Sequence, residues 1–296
     1  MVDAQNWENV LLLGPDFVIP DFYTPEFLPG YGDWETDYPL TNLLKPRRLT
    51  YAKSTSGDED DAEFVIDLKV LRDIKGINIP WAIWEETDKL SAYFYADEGL
   101  TDLRGSVENS EVYREVYPIE TTDFESEEFN TGKISEEDRA KFPVPWFEFF
   151  EDKIIARYVR VRLHRDSSNP WIINRIHAAD GIQPRINMSP NGSGMGVTDA
   201  SVTTIKLGGA RVSDPREKRR SMTLSFEEVE EDEAMNFLDF FYRLGTTRQG
   251  FMSWNPAATL HRHRQSYLFT IEQLGNLDAA SAFRYSTSFK LTEEVA

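Results

Sequence analysis

Cysteine is absent from all 296 residues. That removes a disulfide framework, a thiolate nucleophile and any Cys-based zinc site. It also suits a protein that works outside a cell without depending on redox state. No apolar run approaches the roughly 18 residues of a membrane span, so no membrane insertion is expected. The start, MVDAQNWENVLLLGPDF, has acidic residues where a secretory signal needs positive charge, and its apolar run is four residues long. Synthesis in the cytoplasm is the expectation. Positive charge is also in short supply, with 32 Lys and Arg against 51 Asp and Glu and a net charge of −19. Phosphate contacts need a basic surface, so no nucleic-acid partner is expected. Missing too are a nucleophile elbow, an HExxH pair and a phosphate loop of the GxxxxGK type. The reading is therefore a non-enzyme with no cofactor and no metal.

What is present is a folding composition. Hydrophobic residues make up 40% and aromatics 13%, enough to exclude a disordered chain, and the length suits two cores. The charge is unevenly placed. Residues 186–296 hold 12 basic and 14 acidic side chains, and residues 1–185 hold 20 and 37. A boundary is expected near Pro184–Pro190, between an acidic, solvated module and a nearly neutral one better suited to packing against other subunits.

The first segment, residues 1–30, is rich in Pro, Gly and aromatics without periodicity and reads as an extended arm on a domain surface. A module over 31–184 follows. Phe64, Ile66, Leu68 and Val70 alternate as on a half-buried strand, and further strands are expected at GINIPW and LSAYFYADE. Residues about 98–145 form a polar, acidic insertion, with a helix signal around SEEDRAKF.

The run IIARYVRVRLHRDSSNPWIINRIHAADG, Ile154–Gly181, is the place to look for chemistry. Val159, Val161 and Leu163 point one way; Tyr158, Arg160, Arg162 and His164 point the other. That polar face could be a nucleic-acid stripe, a catalytic or metal site with His177, or a wet strand face pairing with the carboxylates this module has in excess. The last is preferred, and the four residues are the candidate polar interface face. His177 has no acidic partner at ligand spacing.

In the module over 185–296, SVTTIKLGGARV, RRSMTLSFEEV, GFMSW, SYLFTIEQL and AFRYSTSFKL read as strands. The segment EEDEAMNFLDFFYRLG predicts one amphipathic helix over about 230–244. Ala234, Phe237, Leu238, Phe241 and Leu244 follow helical spacing and form its expected core face; acids fill the first turn, Arg243 the last, and Gly245 follows. SPNGSGMGV precedes a strand rather than opening a helix, so it reads as a flexible loop and not as a nucleotide fingerprint. His261 and His263 lie two apart without a local carboxylate and predict no metal site.

The stretches NLLKPRRLTYAKSTS, FVIDLKVLRDIKGINIPW, ARYVRVRL and NPWIINRIHAADG together resemble a galactose-binding-like, discoidin-type β-sandwich. The second module, from GIQPRINM through GTTRQGFMSWNP, is similar to the tail-tube-like β domain of distal tail proteins in long-tailed bacteriophages. The order differs, since those proteins usually carry the carbohydrate-binding-like module after the ring domain. The resemblance implies a mainly β chain, an N-terminal sandwich followed by a distal-tail-like domain with one helix. It implies a structural virion protein of the tail tip or baseplate, made in the bacterial cytoplasm. Such a protein would form a homo-oligomeric ring, a hexamer or trimer, between the tail tube and the hub or receptor-binding fibres. The alternative is a glycan-binding module or receptor-binding tail component without ring assembly, with a host surface glycan as partner.

Overall fold

The structure, a computed structural model, describes residues 9–19, 23–47, 49–114, 132–206, 209–257, 261–281 and 283–294, without the side chains of residues 138, 140 and 141. Of the acidic insertion, residues 115–131 therefore lie outside the described residues. The chain is mainly β. Among the described residues thirteen strands join one antiparallel sheet that runs through both modules.

The sandwich is built on two long strands, β4 (Glu63–Ile79) and β7 (Trp146–His164). They pair from Glu63↔Arg162 to Ile79↔Trp146, with shifts in register near residues 67–72 and 74–76. FVIDLKVL and GINIP are thus one strand, bent by a bulge at which Lys69 takes φ 70°. Along the strands β5 (Lys89–Tyr95) and β6 (Leu103–Glu111) extend the sheet one way and β9 (His177–Ile182) the other, while β2 (Glu26–Phe27) pairs with β4. One face carries Phe64, Ile66, Leu68, Val159, Val161 and Leu163 into a core closed by the short pair β3 (Ala52–Lys53) and β8 (Ile172–Ile173) with Trp171. Period-2 alternation put the right side chains there because a one-residue slip in register would turn every one of them to the other face. A short helix, α1 (Glu136–Lys141), lies before β7.

The expected surface arm is not an arm where it is described. β1 (Leu11–Asp16) sits in the middle of the sheet, between β9 of the sandwich and β14 (Gln249–Ser253) of the second module. Residues 10–13 are 0–1% exposed. Val10 and Leu12 enter the C-terminal core, whereas Leu11 and Leu13 pack with Trp81, Phe147 and Phe251 at the junction. An apolar run of four is long enough for a strand buried on both faces, and here it joins the two cores. At Gly250 a Cβ would lie 2.7 Å from both the Leu13 carbonyl oxygen and the Phe269 ring, so only glycine lets β14 approach β1 this closely.

The second module continues the sheet through β15 (Ser266–Gln273), β17 (Arg284–Glu293), β13 (Lys218–Glu230) and the edge strand β10 (Gly194–Asp199), with β16 (Asp278–Ser281) beside β17. The Gly-rich stretch expected to be loop is strand from Gly194 onward, paired Gly194↔Thr223 to Asp199↔Lys218. SVTTIKLGGARV is not one strand but a hairpin, β11 (Val202–Ile205) against β12 (Arg211–Asp214). Helix α2 (Glu231–Leu244) lies across the sheet and ends at Gly245, whose φ of 60° and N–H bond to the Phe241 carbonyl cap it. Its buried face is Ala234, Phe237, Phe240, Phe241 and Leu244. Leu238 is a correction: it is 49% exposed, and Phe240 takes the core position instead. With roughly 100° per residue, the buried arc centres between Phe237 and Leu244. Phe240 falls nearer that centre than Leu238, and the larger ring is the side chain drawn in.

Candidate functional site: a paired arginine face beside an aromatic cleft

Each basic residue of the Arg157–Arg165 run meets an acid of the same module. Arg157 donates from Nε and Nη2 to Asp67 at 2.7 and 2.9 Å. Arg160 grips Glu63 in the same two-pronged way at 2.7 and 3.0 Å, and Arg162 Nε reaches the second Glu63 oxygen at 2.7 Å. His164 lies between Glu59 at 3.0 Å and Ser91 at 3.0 Å. Arg165 holds Asp88 at 2.8 and 2.7 Å. The acids come from the facing strand β4, the turn before it and the loop before β5, which is why spacing along one strand did not reveal them.

Except for those made to the exposed Glu59, these are not surface pairs. Glu63 and Asp67 are 4% and 3% exposed. Burial by itself would lift the Asp67 carboxyl, but the hydrogen bonds from Arg157 and from the Lys69 backbone outweigh it and hold the group below the usual range. The same bonds raise Arg157, and the bond to Glu63 raises Arg160. At Asp88 burial wins over Arg165, and the carboxyl sits above its ordinary value. Tyr158, assigned to the polar face, is 2% exposed and packs with Val65 and Tyr95, so it is a core residue. Arg160, Arg162 and His164 do lie on the polar side, with their charge already met inside the module.

The last pair leads to a cleft. The Arg165 guanidinium lies 3.9 Å from the centre of the fully buried Trp171 ring, and Trp171 meets Trp84 edge to face at 6.2 Å. Trp84 donates through Nε1 to the Val144 carbonyl at 2.9 Å, which fixes the plane of the indole. Beyond it opens a cleft of about 580 Å³ lined by Tyr51, Trp81, Trp84, Tyr113, Arg139 and Asn174 among others. Arg139 stacks 4.7 Å from the Tyr113 ring and is anchored by Nε to the Ile134 carbonyl at 3.0 Å. Burial raises the Tyr113 hydroxyl, with Arg139 opposing. None of the described lining residues is Asp or Glu. The cleft can stack a flat apolar face and offer donors at its rim; it has no paired carboxylates for acid–base chemistry. Spacing missed it because its residues come from five separated segments. The one local signal was the WAIW run, Trp81–Trp84, directly after a buried strand.

Among the described residues no group of three His, Asp or Glu could hold a metal ion. His261 is in a turn at φ 65° and exposed, while His263 is 4% exposed, so the two do not share a strand face. His177 is fully buried, its Nδ1 2.9 Å from Asn78 Nδ2. Burial pushes its pKa down to about 4, with Asp16 partly opposing and Arg175 adding to the shift. Next to it Arg175, also fully buried, bridges Asp16 of β1 at 2.8 Å and Gln249 of β14.

No protein-family model and no curated protein matches this chain. Among solved structures it is similar to a family 32 carbohydrate-binding module of a family 31 glycoside hydrolase from Clostridium perfringens, at 10% identity and TM-score 0.34, covering 53% of this chain and 94% of that one. A Streptococcus pneumoniae fucose-binding module is similar at 11% identity and TM-score 0.36, over 56% of this chain and 94% of that one. The lectin domain of lectinolysin in complex with Lewis B antigen gives 8% identity and TM-score 0.35, over 56% and 96%. These are likenesses between whole small modules and part of this chain.

Proposed function

We propose that this chain is a non-enzymatic binding protein whose sandwich holds a carbohydrate in the Trp84 cleft. The observation that carries the reading is the cleft itself, in which Tyr51, Trp81, Trp84 and Tyr113 are gathered with Arg139 and Asn174 at one opening. A pyranose ring presents an apolar C–H face ringed by hydroxyls. Rigid aromatics with a few fixed polar groups match that pattern. The ion-pair chain Asp88–Arg165–Trp171 behind Trp84 keeps the indole in place before any ligand arrives.

The test is a glycan-array screen of the full chain followed by calorimetry on any hit. Binding is expected, lost in Trp84→Ala and weakened at least about tenfold, or ~1.4 kcal/mol, in Arg139→Gln. An absence of glycan binding, or binding indifferent to both changes, would sink the reading. Arg139→Gln serves as the second probe in case Trp84→Ala loosens the core.

A second reading has its own observation. β11 and β12 project beyond the main sheet with every residue exposed, Val202, Ile205 and Val212 among them. Apolar side chains held out on a ribbon call for a partner. They suit a subunit of a larger assembly, and we read that assembly, from the resemblance of this module to distal tail proteins, as a bacteriophage tail tip in the virion, a ring beside tube, hub and fibre proteins. Particle mass decides between an isolated binding module and a ring-former: a monomer at every concentration, alone and with tail proteins, leaves only the first.

A further inference from the structure

The C-terminal module is nearly neutral only in sum. Residues 202–219 carry five basic and two acidic side chains, and residues 227–239 carry seven acidic and no basic ones. The two ends are set apart by β13, thirteen residues long, or roughly 40 Å at ~3.3 Å per residue. β17 pairs with β13 only from Ser221 onward and β10 stops at Asp199, so among the described residues the ribbon beyond pairs with no strand of the main sheet.

Each charged end also holds apolar side chains in water. On the ribbon, Val202, Ile205 and Val212 are 47%, 71% and 45% exposed. On α2, Met235, Leu238 and Tyr242 are 42%, 49% and 90% exposed. The latter three stand at i, i+3 and i+7, one stripe along the helix on the side turned away from the sheet that takes Phe237 and Leu244. This stripe is also why Leu238 is not a core residue.

We propose that the β11–β12 ribbon of one copy seats on the outward face of α2 in a second copy, head to tail. The inference deepens the assembly reading and rests on it. Charge complementarity selects the second copy as occupant. At a net charge of −19, two copies repel over most of their surfaces, and the ribbon is where one offers basic side chains to the acidic start of the other's helix. A contact of ribbon with ribbon would set basic on basic. The head-to-tail contact sets Val202 and Val212, which share one face of the ribbon, toward Met235, Leu238 and Tyr242, with Lys206 and Arg211 near its tip toward Glu231 and Asp239. Such an interface is heterologous, and it closes a ring or grows a filament.

The experiment is sedimentation velocity on the full chain over a concentration series at low and high salt. Assembly is expected in the wild type, weaker at high salt. The ribbon variant Lys206→Glu with Arg211→Glu and the helix variant Glu231→Lys with Asp239→Lys should each lose assembly and stay monomeric. All four positions are exposed, so circular dichroism should report unchanged folds. Mixing the two variants should restore assembly, because each reversed ribbon now meets a reversed helix. A wild type that is monomeric throughout overturns the proposal together with the assembly reading. Assembly that survives both sets of reversals, or variants that fail to complement, overturns this interface alone and leaves the assembly reading standing.

Discussion

In the sandwich, the basic side chains of β7 end on carboxylates of the same module, and two of those acids, Glu63 and Asp67, are buried. In the C-terminal module, the β11–β12 ribbon holds its basic and apolar side chains in water, while half of that module's acids crowd the far end of β13. The first module is electrostatically closed and the second is polarised. A strand with a paired partner on each side can satisfy its charges across the ladder. A two-stranded ribbon without a third strand has no partner to do so. The proposed function assigns recognition to the aromatic cleft of one module and attachment to the exposed ribbon of the other.

The largest effect is expected in the core of the second module. Phe237→Ala should cost about 3–5 kcal/mol, read as a drop in melting temperature, because the ring is fully buried against Phe226 and Phe241. Leu238→Ala, one residue on and half exposed, should change stability by less than about 0.5 kcal/mol. Equal losses from the two would mean that the helix is rotated from its described position.

Next comes the joint between the modules. His177 is neutral in the fold with a pKa of about 4, against about 6.5 in an unfolded chain. Over that window the unfolded chain binds the extra proton, so stability falls as pH drops from about 6.5 towards about 4, by ~3 kcal/mol in all. Urea unfolding across that range should show the slope, and His177→Gln should flatten it. A wild-type profile with no loss between those pH values would count against a neutral, buried imidazole.

The smallest of the three sharpens the contrast in charge. Arg160→Ala with Arg162→Ala leaves the Glu63 carboxylate buried without its guanidinium partners. A loss of about 2 kcal/mol is expected, larger than the 0–1 kcal/mol of exposed pairs. A double variant as stable as the wild type would show that Glu63 reaches water, and that the sandwich is less closed than described.

Much of this was legible beforehand, though not in equal parts. The alternation Val159, Val161, Leu163 against Arg160 and Arg162 fixed which side of β7 is core. The acid-rich start and the Gly245 stop fixed the ends of α2 almost to the residue. The same spacing failed at Leu238, because a helix face is broad and Phe240 competes for its edge. It failed at Tyr158, whose ring is covered by neighbours remote in sequence. The first segment failed as well: its run VLLL is too short to mark itself as more than part of an arm, and the sheet it enters lies far away in the sequence.

The sequence by itself determined the β periodicity, the one amphipathic helix and the uneven charge, since these depend on neighbours within a turn or two of chain. Only the tertiary structure decided that β1 joins the two cores, that Glu63 and Asp67 lie buried beneath the arginines, that Trp84 and Arg139 share a cleft, and that the ribbon stands free. Each of these depends on which distant segments meet, and that is settled by packing and burial over the whole chain.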